Sequence, residues 1–163
     1  CEADTSNADW GIDGCSVPTW AMPLEKLAKG FAKLLASGNS TGVRIVNAAR
    51  THPFLIAGTN KFDSKIMQAV PRLFIKVGAE GVYCGAIPHA GLGFALKIDD
   101  GAVRGAEVAI ANVLQALDCW TAEEKSAIAG FTHSTMKNWR KLEVGEARSN
   151  FGAYCPRDSH LQE

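Results

Sequence analysis

The sequence predicts an α+β fold, an antiparallel sheet with helices packed around it. Two observations carry this expectation. Three short apolar runs between residues 73 and 98 are separated by glycine-containing turns, and segments of helical periodicity lie on both sides of them. A third observation sets the scale: 163 residues give room for one domain, and 47% apolar with 21% charged residues is close to the average of globular chains.

Up to Gly14 the chain is dominated by Asn, Asp, Ser and Gly, and five acids (Glu2, Asp4, Asp9, Asp13 and Glu25) precede the first base, Lys26. That segment reads as irregular. Pro23 suits the first turn of a helix. Leu24, Leu27, Ala28, Phe31, Leu34 and Leu35 then recur at steps of three and four, with Glu25, Lys26, Lys29 and Lys33 off the stripe. Gly38-Asn39 closes this helix. Ser40 or Thr41 caps a second one through Arg50, with Val43, Val46 and Ala49 or Ile45 facing inward, and Pro53 limits it. A short third helix is expected over residues 63–70, placing Ile66, Met67 and Val70 on one side, with Pro71 as its stop.

Residues 73–77, 82–87 and 92–98 read as three strands of a meander, joined by Gly78-Ala79-Glu80-Gly81 and Pro88-His89-Ala90-Gly91 and closed by Asp99-Asp100-Gly101. Helical spacing then returns: Val103, Ala106, Ile110, Val113, Leu114 and Leu117 share a face of an Ala-rich segment. Thr121-Ala122-Glu123-Glu124 has capping-box spacing and opens a helix that stops near Gly130. Residues 142–144 add one more strand. Residues 148–163 lack periodicity and read as a tail, leaving 1–147 as the domain.

Seventeen Lys plus Arg against 17 Asp plus Glu give zero net charge, which argues against a nucleic-acid partner. No apolar run approaches the ~18 residues of a membrane-spanning helix. The five cysteines (Cys1, Cys15, Cys84, Cys119 and Cys155) are odd in number, widely spaced and free of any C-x-x-C pair. Free thiols in a reducing compartment, the cytoplasm, are the expectation. The first residue is Cys rather than Met and no signal sequence precedes it, so a processed chain or a fragment is expected.

Two positions stand out chemically. Asp13-Gly14-Cys15 sets a thiol beside a carboxylate on a loop, a donor pair that suits zinc, though one Cys and one Asp are too few for a site by themselves. The alternative is a buried or half-buried free cysteine. His52, His89, His133 and His160 are each isolated from any partner at ligand spacing. Lys76 lies between Ile75 and Val77 in a run expected to be largely buried, where a lysine is costly unless it is paired or neutral. A strand-borne Lys-x-Gly is also the third element of Ser-Lys acyl-transfer enzymes. In such sites the residue after the glycine, here Ala79, can donate its backbone N–H to an oxyanion. The plain alternative is an edge-strand lysine reaching back to water. Glu80 reads either as a partner for a ligand amine or as an exposed turn residue, His89 as a solvated hairpin tip, and Cys84 as core packing. Gly91-Leu92-Gly93 enters a strand with no helix after it and is no dinucleotide fingerprint.

Taken together, three segments resemble a known family. They are Gly11-Ile12-Asp13-Gly14-Cys15-Ser16-Val17-Pro18 ahead of an amphipathic helix; His52-Pro53 with Ala57-Gly58-Thr59 and Phe62-Asp63; and Lys76-Val77-Gly78-Ala79-Glu80-Gly81-Val82 leading into Ala95-Leu96-Lys97-Ile98-Asp99-Asp100-Gly101-Ala102. In this order, over roughly residues 10 to 145, they resemble the asparaginase II family, the Rhizobium etli-type L-asparaginases. The resemblance implies a serine β-lactamase- and glutaminase-like fold and an amidohydrolase that converts L-asparagine and water to L-aspartate and ammonia. It implies serine nucleophiles activated by lysines, a zinc ion held by two cysteines and a lysine, a homodimer, and no organic cofactor. Cys15 falls on one zinc-binding cysteine with Asp13 as its hydrogen-bonding neighbour, and Lys76 falls on the strand lysine that partners a serine. Asp13, Gly78, Ala79 and Glu80 follow as substrate-binding positions. The family's Ser-x-x-Lys and Cys-Ser-Gly-Lys-His segments do not occur in these 163 residues, and Val77 replaces the hydroxyl residue often found after the lysine. The chain therefore looks like a C-terminal half, with the nucleophile and the other zinc ligands expected upstream or in a partner, and with activity not expected of this half alone.

Two further classes stand beside this one. One is an amidase using Cys1 as an N-terminal nucleophile, with its α-amine as base. The other is an inactive binding or interaction remnant of the fold. Glutamine and β-lactams are the runner-up substrates within the first class.

Overall fold

The computed structural model describes residues 1–35 and 40–150. The chain opens with a short antiparallel hairpin, β1 (Trp10–Ile12) and β2 (Pro18–Trp20), in the stretch expected to be irregular. Helices α1 (Leu24–Lys33), α2 (Ser40–Thr51), α3 (Pro53–Ala57) and α4 (Phe62–Ala69) follow. The antiparallel sheet is β3 (Phe74–Gly78), β4 (Val82–Ile87) and β5 (Leu92–Lys97), in that order, with a single 3-10 turn at Pro88–Ala90. Then come α5 (Val103–Gln115), α6 (Ala122–Ala129) and a second hairpin, β6 (His133–Lys137) with β7 (Glu143–Arg148). The architecture is α+β.

The meander expected from the sequence is present, and its register assigns the faces. Phe74, Lys76 and Gly78 stand opposite Ala86, Cys84 and Val82, which stand opposite Gly93, Ala95 and Lys97. Directly opposed residues share a face. Over this face lies α1, mainly on β5 and β4. Gly93 permits the approach, because a side chain there would run into the backbone of Ala28 and Ala32. The opposite face carries Ile75, Val77, Tyr83, Phe94 and Leu96 and meets α4 and α5. Between them lies the core, with Ile66, Leu73, Ile75, Ile87, Ile110, Leu114 and Ile128 all fully buried.

Several elements differ from expectation for identifiable reasons. In α2 the inward face is Gly42, Val46 and Ala49, whereas Val43 and Ile45 are exposed. Those three are spaced by four and three residues, and the small Gly and Ala go unnoticed beside bulkier neighbours. Pro53 does limit α2, but it also opens α3 at its first position. The capping box at Thr121 forms as expected: Glu124 N donates to Thr121 Oγ1 at 3.2 Å and Thr121 N to Glu124 Oε2 at 3.0 Å. Arg72 grips the same carboxylate from the approach to β3, its Nε donating to Oε1 at 2.8 Å and its NH2 group to Oε2. This pairing holds the Glu124 carboxyl at about 2. The strand expected at 142–144 is longer and pairs with β6, whose polar, exposed residues give no alternation to read. α1 ends at Lys33 with Leu34 as its C-cap, earlier than expected, while Gly38-Asn39 and the tail from residue 151 onward fall outside the described residues.

Candidate active site

Lys76 sits on β3, the outer strand of the sheet, in a row with Cys84 and Ala95. Its small neighbours, and the placement of α1 mainly over the other two strands, leave it half-buried. The ammonium is neither sunk in the core nor free, since Nζ donates to Val77 O at 2.7 Å. Cys84 beside it is buried, as expected, and burial pushes its thiol up to about 11. At neutral pH that sulfur stays protonated and packs; it is no nucleophile.

The free edge of β3 is closed at one point by a side chain. Val77 N donates to Asp63 Oδ2 at 2.8 Å, from the first turn of α4. Asp63 is 1% exposed. Tyr83, opposite Val77, is also buried, and its hydroxyl bonds to Asp63. Burial, the charges of Asp63 and Glu107, and that hydrogen bond together hold the phenol far above its ordinary range, so it remains a donor. Beyond Val77, Gly78 packs against the Val82 side chain, while Ala79 and Glu80 lie exposed in the turn. Ala79 N–H has no hydrogen-bond acceptor among the described residues. Glu80 adopts a left-handed backbone, φ 57°, and its carboxylate rests on Gly101. Lys76, Gly78, Ala79 and Glu80 are thus gathered on one strand end.

Asp13 and Cys15 are brought together elsewhere, in the turn of the β1–β2 hairpin. Asp13 N donates to Val17 O at 3.0 Å, Gly14 N to Asp13 Oδ1 at 2.7 Å, and Cys15 Sγ to Asp13 Oδ2 at 3.6 Å. Both residues are exposed, and among the described residues no hydrogen bond or ion pair joins them to Lys76. Zinc sites use three or four protein ligands. This turn supplies two donors, and among the described residues no three His, Cys, Asp or Glu side chains converge. The residues present therefore do not make a zinc site by themselves.

Sequence reasoning missed Asp63, Tyr83 and Glu107. Asp63 reads as an ordinary helix start, and only the sheet register reveals that its carboxylate meets a strand amide. His89 is exposed, as expected of a hairpin tip, and is also anchored: Nε2 lies 2.8 Å from Cys119 O and the ring packs edge-on against Trp120. The buried hydroxyl of Ser64 is engaged by the carbonyls of Pro53 and Gly58 at 3.1 and 2.8 Å, so it is no partner for Lys76. Cys1, Cys15, Cys84 and Cys119 are all unpaired thiols. A cavity of about 360 Å³ between α5 and β7, lined by Gly105, Val108, Glu146 and Arg148 among others, lies away from these residues.

What the fold and site define is an α+β protein whose candidate chemistry stands at the free edge of an antiparallel sheet. The family model for L-asparaginase II matches residues 1–149, and the chain belongs to that family. Membership gives the domain an asparaginase-like, amide-hydrolysing character. No curated protein matches the chain. Among the described residues no helix is long and apolar enough to cross a membrane.

Proposed function

We propose that this chain takes part in hydrolysing the side-chain amide of L-asparagine to L-aspartate and ammonia, with Lys76 as the base that activates a serine. The observation that supports the reading most is the placement of Lys76: half-buried on an edge strand, over the small side chains of Cys84 and Ala95, one turn before an unengaged backbone amide at Ala79. The serine in this proposal comes from outside residues 1–163. Acting as the unprotonated amine, Lys76 takes the serine proton as the oxygen attacks the amide carbon. The tetrahedral oxyanion receives the Ala79 N–H. Collapse of that intermediate returns the proton from Lys76 to the leaving nitrogen, ammonia departs, and water then hydrolyses the acyl-enzyme by the same base in reverse order. Gly78 keeps the strand end narrow for the substrate, and Glu80 faces its α-amine. The serine β-lactamase- and glutaminase-like architecture, a cytoplasmic setting, assembly as a homodimer or with a separate half, and Asp13 with Cys15 at a zinc ion whose other ligands lie outside these residues all belong to the same proposal.

Ammonia release from asparagine by the native protein, in whatever assembly carries it, is the test. Lys76→Ala is expected to lose more than about 100-fold in kcat, the usual worth of a positioned base. Near-parent turnover in that variant overturns the role of Lys76. Faster turnover of glutamine or a β-lactam than of asparagine overturns the substrate. Equal zinc content in Cys15→Ser and parent overturns the metal ligand.

A further inference from the structure

We propose that Asp63 is the positioning residue for Lys76, fixing Val77 by its N–H and, through that residue, the carbonyl that holds the lysine ammonium. This deepens the amidohydrolase reading and rests on it for its catalytic meaning, although the geometry stands by itself.

Three consecutive residues at the start of α4 are buried, and each ties to a different element. Phe62 packs edge-on against Tyr83 and Phe131, with ring centroids 5.4 and 5.6 Å away. Ser64 clamps the α3 end by its two carbonyl bonds. Asp63 turns to the sheet, and Val77 N donates to it at 2.8 Å. The residues on both sides of Asp63 are thereby anchored.

A fully buried carboxylate is costly, and none of the ion pairs among the described residues includes Asp63. Its compensation is hydrogen bonding, from the Val77 amide and the Tyr83 hydroxyl, and from its place in the first turn of a helix. An amide on the outer edge of a strand needs no such partner, because water satisfies it. What an anionic acceptor adds is strength, roughly twice that of a neutral one, and direction. The residue so fixed is the one whose carbonyl receives Lys76 Nζ at 2.7 Å. Val77 is thus held through N–H by Asp63 and holds the ammonium through C=O. Release of the first contact lets the strand end, and the lysine with it, move.

The full chain is the test object, with Asp63→Ala, Asp63→Asn and Tyr83→Phe. Amide exchange at Val77 is expected to speed up about tenfold or more in Asp63→Ala, the factor that losing one charge-assisted hydrogen bond implies. Exchange at Tyr83 to Ala86 in the central strand is expected to stay near parent. The 13C signal of reductively dimethylated Lys76 is expected to move toward that of the exposed lysines. Asp63→Asn, which keeps an oxygen acceptor, restores both readouts in large part. Should Asp63→Ala fail to fold, Tyr83→Phe removes one bond to the same carboxylate and shifts both readouts in the same direction by less. Unchanged Val77 exchange, or a loss of protection spread equally over β4, overturns the proposal. In asparagine turnover, Asp63→Ala lowers kcat with KM near parent. If Lys76→Ala abolishes turnover while a folded Asp63→Ala keeps parent kcat, positioning fails and the amidohydrolase reading stands. If turnover ignores Lys76→Ala, that reading fails, and exchange with the lysine signal still decides what Asp63 does.

Discussion

The sheet β3–β4–β5 and the hairpin β1–β2 each carry part of the candidate machinery, and they are held in place by different means. Both are antiparallel, and both have chemically able residues near a turn. In the sheet, Ile75, Tyr83, Ala86 and Ile87 are at most 1% exposed, with helices on both faces. In the hairpin, every residue from Asp9 to Ala21 is exposed, Trp10 at 65% and Ile12 at 63%. A lone two-stranded hairpin is marginal in water. Its turn geometry around Asp13 and Cys15 is kept by local bonds, whereas Lys76 is kept by tertiary packing and a buried carboxylate. Preorganisation within this chain therefore lies on the lysine side.

Glycine substitutions break or sharpen this contrast most strongly. Gly93→Val drives a side chain into the backbone of Ala28 and Ala32 and is expected to cost about 3 kcal/mol, as overpacking against a rigid neighbour does. Gly11→Val in the hairpin meets nothing within 4 Å and is expected to change stability by less than about 0.5 kcal/mol. Urea unfolding of both variants gives the comparison, and equal losses would mean that the hairpin is as tightly packed as the sheet. A smaller effect follows at the joint between β3 and α6. The Glu124 carboxyl is held at about 2, against an ordinary 4.5, first by its hydrogen bonds to Arg72. A lowered carboxylate contributes its full stability above the unfolded value, near 4.5, and loses it as pH falls toward 2. Glu124→Gln is expected to cost about 1 kcal/mol at neutral pH, discounted because Arg72 is partly exposed. The same variant flattens the acid limb of a pH-stability curve, and an unchanged limb would contradict the pairing.

The same contrast explains what could be read in the chain. The meander was legible because short apolar runs alternate with Gly turns, and β4 falls on the expected residues 82–87. The Thr121 cap was legible because a capping box is local chemistry. The first hairpin and β6 of the second were invisible, and only part of β7 was expected: Trp10 pairs with Trp20 and His133 with Arg148 without burying a face, so no period of two appears. Lys76 could be singled out because a charge within an apolar run breaks the pattern. Asp63 could not, since nothing local distinguishes an acid that starts a helix from one that reaches an amide 14 residues later on a strand edge. That partnership is a property of register, which single-residue chemistry does not carry.

The smallest expected effect probes how the packed side of the sheet tolerates acid. Glu107 is half-buried on α5, and its carboxyl is raised first by burial and then by the nearby charge of Asp63, with Lys61 and Lys65 pulling the other way. A carboxyl whose folded value lies above its unfolded one is accommodated best when protonated. Its contribution is therefore complete below the unfolded value and is lost as pH rises through the folded one. Glu107→Gln removes the ionisation while keeping the shape. The variant is expected to match the parent near pH 4 and to melt at a slightly higher temperature near pH 7, since the charge is penalised only when present. A lower melting temperature near pH 7 would mean that Lys61 and Lys65 outweigh Asp63, and that this face accepts a second carboxylate by pairing. The expected rise means instead that the packed face holds one buried carboxylate because Val77 and Tyr83 bind it, and has no equivalent donors for another.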